Sequence, residues 1–188
     1  HDDGGGQALF VGGSFTRVGG VAANRIAKWD GSSWSALGTG TGSDVLALVT
    51  FDDGGGPALF AGGDFLRMGG VPARFVARWN GSVWSPLGNG TNGRVSAMTA
   101  HDDGSGPALY VGGAFALASG VTVNRVARWN GTSWSSVGGG VSGSSPAVNA
   151  LVVYDDGSGS ALYAGGTFTS AGGVNANRLA KWDGVSWA

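Results

Sequence analysis

The chain has 188 residues and a formal net charge of −1, with charged side chains at only 12% of positions and Asp as the only acid, so it offers no basic field for nucleic acid. With 42% hydrophobic residues it has the composition of a folded domain, and its lack of cysteine removes disulfides, thiolate metal sites and thiol nucleophiles. Its 39 glycines lack the every-third spacing of collagen and point to many tight turns, while no apolar run approaches the roughly 20 residues of a membrane-spanning helix.

The chain opens on His1, and an Asp-Asp-Gly turn begins at Asp2, Asp52, Asp102 and Asp155, at offsets of 50, 50 and 53 residues. A period near 50 residues is that of a blade or solenoid unit. On these turns the chain divides into repeats 1–50, 51–100, 101–153 and 154–188 of a single segment. The first repeat lacks the apolar run that precedes the turn elsewhere, and the last stops at Trp187-Ala188. The chain is therefore expected to be a segment of something longer.

The second unit shows the elements most plainly. Residues 45–51 (VLALVTF) and 57–63 (PALFAGG) are short apolar strands around a DDGGG turn. A long Gly-rich loop follows, then residues 75–79 (FVARW) and 83–88 (VWSPLG) around Asn80-Gly81, a favoured two-residue hairpin pair. This predicts four strands per unit in an antiparallel meander. A two-residue turn would set Trp79 opposite Ser82 and Ala77 opposite Trp84, so both indoles would leave the same side of the sheet. Such a face cannot be buried by one meander, but neighbouring meanders can bury it for one another.

An apolar strand ending in Gly62-Gly63, a loop, a further strand and the pair Trp79 and Trp84 resembles the kelch repeat. The resemblance runs along the whole chain and implies an all-β fold, a β-propeller of four-stranded antiparallel blades, with four repeats here that form part of a larger ring or close with a second copy. Its Gly-, Ser- and Trp-rich, weakly charged style is similar to repeat arrays of secreted and cell-surface bacterial proteins, which places the chain outside the cell.

Residues present in every unit are expected to build it. On that reading Phe15, Phe65, Phe115, Phe168, the tryptophans and the Gly-Gly pairs are core or turn positions. The Asp pairs are read as turn formers in preference to calcium ligands, because they lack the alternating donors of a calcium loop. The cations Lys28, Arg78, Arg128 and Lys181 are expected to pair with a neighbouring Asp or to be solvated. What does not repeat is Arg17, Asp44, Asp64, Arg67, Arg74 and Arg94, with Met68 and Leu117 as exposed apolar candidates. All lie in the two loop classes that share one end of an antiparallel meander, the end where the resemblance places ligand sites.

His1 and His101 are the only histidines, too few for a triad or a histidine metal site, and no metal or cofactor is expected. The reading is thus a non-catalytic structural or protein-protein interaction module. A carbohydrate-binding propeller is the first alternative, and a fragment of an enzyme whose active residues lie elsewhere is the second. A homodimer that completes the ring is the expected self-partner.

Overall fold

In the computed structural model, which describes residues 1–188, the chain is all β. Its second sheet is built from Val45–Asp52, Pro57–Gly63, Val76–Trp79 and Trp84–Pro86, and its third from Val95–Asp102, Pro107–Gly113, Val126–Trp129 and Trp134–Ser136. Both are antiparallel meanders with the strands in chain order. The fourth contains Val148–Asp155, Ser160–Gly166 and Leu179–Trp182, and Trp187 bridges to Trp182 where a fourth strand begins. The first contains Leu9–Gly12, Ile26–Trp29 and Trp34–Ala36, with no strand beside Leu9–Gly12 comparable to Val45–Asp52. Each full sheet takes its first strand from the apolar run ahead of its own Asp-Asp-Gly turn.

The paired tryptophans share a face, but through a register other than that of a two-residue turn. Trp79 lies directly opposite Trp84, as Trp29 does opposite Trp34 and Trp129 opposite Trp134. Four residues, Asn80 to Val83, therefore make the turn, and of these only Gly81 has a positive φ (101°). The Asn80 Oδ1 accepts the backbone N–H groups of Ser82 (3.0 Å) and Val83 (2.9 Å), so a side chain closes the turn instead of the backbone. Asp30, Asn130 and Asp183 do the same, which explains why Asp and Asn exchange at this position.

The long Gly-rich loop is not structureless. In every repeat it folds into a small hairpin, such as Arg67–Met68 with Val71–Pro72, whose tip is a Gly-Gly pair or, in the third repeat, Ser119-Gly120. Met68 faces inward from that hairpin and is buried, not exposed as its place in a variable loop suggested. A bulge after Val45, Val95 and Val148 adds one residue to each first strand. It lets Val45 and Leu48, three residues apart, join the same apolar cluster.

Neighbouring sheets pack face to face, and always in the same sense. Trp79 and Trp84, with Leu59 and Phe65, close on Ile26 and Leu37 of the first sheet. Trp129 and Trp134 close on Phe60, Val76 and Leu87, and Trp182 and Trp187 on Tyr110, Val126 and Val137. In the second and third sheets the two rings lie 5.2 Å apart and tilted. The outer indole of each pair also donates its Nε1–H to a carbonyl of the sheet before: Trp84 to Leu37 (3.4 Å), Trp134 to Leu87 (3.1 Å) and Trp187 to Val137 (2.9 Å).

The sheets come closest at their first strands. There Val95 and Val148 lie on Gly62 and Gly112, positions where any Cβ would collide with them. The indoles occupy the wider side. No apolar cluster joins the fourth sheet to the first, so the array is open and does not close on itself within this chain.

The close approach of neighbouring repeats makes a direct test. Gly120 and Gly131 have similar φ values, 88° and 99°, but Gly120 faces open space whereas a Cβ at Gly131 would meet the Asp53 carbonyl of the preceding sheet. Gly120→Ala is expected to cost about 1 kcal/mol for the backbone conformation alone. Gly131→Ala should cost about 1–3 kcal/mol more for the forced separation of two sheets. Urea denaturation of the two variants, compared by midpoint, checks the difference.

Candidate functional site

The two ends of the array differ in chemistry. At the turn end the first Asp of each pair is used up locally. Asp52 Oδ1 accepts the N–H groups of Gly54 (2.9 Å) and Gly56 (3.0 Å), and Asp2, Asp102 and Asp155 repeat the arrangement. The second Asp reaches across its sheet to the repeated cation. Asp3 meets Lys28 at 2.5 Å, Asp53 meets Arg78 at 3.0 Å and Asp156 meets Lys181 at 2.7 Å. In the third repeat Arg128 bonds instead to the carbonyls of Ser105 and Gly106, and Asp103 accepts the indole N–H of Trp182 at 2.9 Å. That last bond crosses to the next sheet.

These partners set the charge states. Burial opposes ionisation of Asp103, but hydrogen bonds from Ser105 and Trp182, with the Tyr110 hydroxyl alongside, outweigh it and hold the carboxyl well below the usual range. Burial first, and then the Asp103 charge, push the Tyr110 hydroxyl far upward. Asp156 is lowered by its bonds from Lys181, Ser158 and Tyr163, and Lys181 is raised in return by Asp156. The turn end is therefore a row of ion pairs and caps.

The largest cavity also lies at this end, an open groove of about 700 Å³ between the second and third sheets. Phe51, Asp52, His101, Asp102 and Asn130 are among the side chains that line it. His101 stands here for a packing reason: its ring lies 5.9 Å from that of Tyr110, and His1–Phe10, Phe51–Phe60 and Tyr154–Tyr163 are the same pair in the other repeats. The signal was an aromatic residue nine places ahead of the strand aromatic in every unit, and the histidines hid it. No three carboxylate or imidazole groups converge anywhere in the chain.

At the loop end the six candidate residues fall into four groups. Asp44 accepts the Ser14 hydroxyl at 2.7 Å and lies 3.7 Å from the Arg25 guanidinium. Asp64 faces Arg94 at 3.4 Å, with both side chains about half exposed, 42% and 51%. An ion pair so open to solvent contributes about 0–1 kcal/mol, so neither charge is held there for stability.

Arg17 and Arg67 instead fold back on their own hairpins, each donating to a carbonyl at the tip, Gly20 and Gly70 (both 2.5 Å). Arg74 is exposed and lines a shallow groove with Pro72, Pro86 and Asn89. The structure thus brings Asp44 to Ser14 and Arg25, and Asp64 to Arg94, and leaves the other three apart. The sequence does not single out Ser14 or Arg25, because Arg25 belongs to an Asn-Arg pair that recurs as Asn124-Arg125 and Asn177-Arg178 and so reads as part of the repeated unit. Comparison of the chain with protein-family models, curated proteins and solved structures finds no match.

The carboxylates give the stability a defined acid limb. Because Asp3, Asp103 and Asp156 all have folded pKa values below the ordinary 3.8, their contribution is complete above that value and is lost as pH falls through the lowered ones. The melting temperature is therefore expected to be level between about pH 5 and 7 and to drop below about pH 4. Asp103→Asn should lower it at pH 7 and flatten the acid limb, as read by circular dichroism melts across pH.

Proposed function

We propose that this chain is a non-catalytic scaffold and protein-binding module, an array of propeller-type, kelch-like blades whose loop end is the binding surface. The wedge arrangement supports the blade reading. Sheets that touch at their first strands and are held apart by indoles on the other side fan about an axis, as propeller blades do. Gly62-Gly63 and the Trp79–Trp84 pair sit where that packing needs them.

One observation carries the functional reading. The turn end repeats its Asp caps from sheet to sheet, whereas at the loop end Asp44, Asp64 and Arg94 do not recur from unit to unit and the Asp64–Arg94 pair is too exposed to add much stability. A surface used once along a repeated scaffold fits recognition of a partner protein. The carboxylate pairs support the non-catalytic reading, since they are bound to turn amides and to Lys or Arg. The weakly charged, Gly- and Trp-rich composition favours a secreted or cell-surface setting.

Carbohydrate binding is the competing reading, and the groove beside Phe51, with Asp52, Asp102 and Asn130, is the place that favours it. The experiment is site-specific photo-crosslinking, with the reactive amino acid placed at Arg74 or Arg94 and, as control, at Ser82 or Ser133. Protein adducts from the loop-end positions and none from the turn-end ones are expected in surface and medium fractions of the source organism. Adducts from the turn end alone would overturn the loop-end assignment. A glycan-array signal lost in Asp102→Asn would transfer the function to the groove.

A further inference from the structure

At the loop end, the segment that links one sheet to the next runs against the small hairpin of the sheet it enters, and at two of the three junctions one residue closes that contact. At the second junction Asn92 Oδ1 accepts the backbone N–H groups of Ala116 (2.8 Å) and Leu117 (2.9 Å), and the Asn92 N–H donates to the Leu117 carbonyl (3.0 Å). At the third, the Ser142 carbonyl accepts the Thr169 N–H (2.9 Å), and the Ser142 and Ser170 hydroxyls bond at 2.6 Å. Gly42 holds this place at the first junction. A Cβ there would meet nothing within 4 Å, and the N–H groups of Leu66 and Arg67, the counterparts of Ala116 and Leu117, have no side-chain acceptor.

Between the first and second sheets lies a cavity of about 340 Å³, lined by Arg25, Thr41 and Gly42 and, from the hairpin, by Arg67 and Gly70. No carboxylate lines it. Thr41 is buried, 6% exposed, and its hydroxyl accepts the Ser43 N–H (3.4 Å) but finds no acceptor for its own proton, whereas the Thr91 hydroxyl donates to the Gly93 carbonyl (2.8 Å). The Arg25 Nε is buried without a hydrogen bond, since Asp44 stands 3.7 Å away. Two arginines share this place only here: their counterparts are Phe75 and Leu117 at the second junction and Arg125 and Ser170 at the third.

We propose that this cavity binds a carboxylate, the side chain of an Asp or Glu on the partner protein that the loop end recognises. One carboxylate oxygen takes the place of Asn92 Oδ1 and accepts the N–H groups of Leu66 and Arg67. The carboxylate is planar like the carboxamide it replaces, and its second oxygen accepts from guanidinium and from the Thr41 hydroxyl, bonds that its charge strengthens. Leu66, 60% exposed where the other units have Thr16, Ala116 and Thr169, gives apolar surface to the chain that carries the acid. The inference rests on the loop end as the binding surface and names the group received there.

The test is an amide NMR titration of the nitrogen-15-labelled 188-residue chain with N-acetyl-aspartyl amide and, as control, its neutral asparaginyl counterpart. The Leu66 and Arg67 resonances should move with the acid, saturating in about the millimolar range, and stay in place with the control. Gly42→Asn supplies the oxygen from within, as Asn92 does, so both resonances should start displaced and ignore the acid. Arg67→Gln, at an exposed position, should weaken binding roughly tenfold and serves if Gly42→Asn misfolds. Leu66 and Arg67 resonances that do not respond to the acid, or a response that survives in Gly42→Asn, would overturn the site; protein adducts at Arg74 or Arg94 in that case leave the loop-end surface standing without it. A response to the acid with no protein adduct at the loop end overturns the partner protein as its source and assigns the cavity to a small acid.

Discussion

The structure depends on one contact, the pair of tryptophans that each sheet lays on the sheet before it. A four-stranded meander has two faces and no means of covering either, and here one face is made of indoles and the other of Ile, Val, Leu and aromatic side chains that receive them. A buried tryptophan removes about 150–250 Å² from water, and its truncation in a core costs about 3–5 kcal/mol. Two per junction make the joint between sheets as demanding as the core of a small domain. The indole Nε1–H adds direction, because its carbonyl acceptor lies on the neighbouring sheet.

Glycine is the complement of tryptophan in this design. Where two sheets must touch, at Gly62 beneath Val95 or at Gly131 beneath the Asp53 carbonyl, no side chain fits. Indoles between the outer strands and a valine on a bare glycine between the first strands set the angle between sheets. The hairpin inserted in each Gly-rich loop serves the same end, since Gly69 lies against Trp84 and Met68 joins the cluster below it.

The polar chemistry follows from the same repetition. Asp103 is tied to its own turn and to Trp182 of the next sheet, so a carboxylate that looks like a ligand donor is part of the joint. Charges left outside this scheme collect at the loop end, where Asp64 and Arg94 pair about half exposed and Asp44 meets a partly buried Arg25. Recognition can vary there without disturbing the joints.

Much of this is legible in the sequence, because local chemistry repeated four times is hard to mistake. The repeat, the strand positions, the shared face of each tryptophan pair and the turn role of the first Asp all follow from spacing and residue type. Other features were decided only by the tertiary structure. The four-residue turn at Asn80 depends on a side-chain hydrogen bond that competes with the expected backbone turn, and the burial of Met68 depends on a hairpin folding back over its sheet. The bulge after Val45 breaks the strict alternation that a sequence reading assumes. The partnership of Asp44 with Ser14 and Arg25 joins residues from neighbouring sheets. Spacing along the chain carries what each sheet is, whereas contact between sheets, made by residues about 50 positions apart, carries how the sheets meet and what they leave exposed.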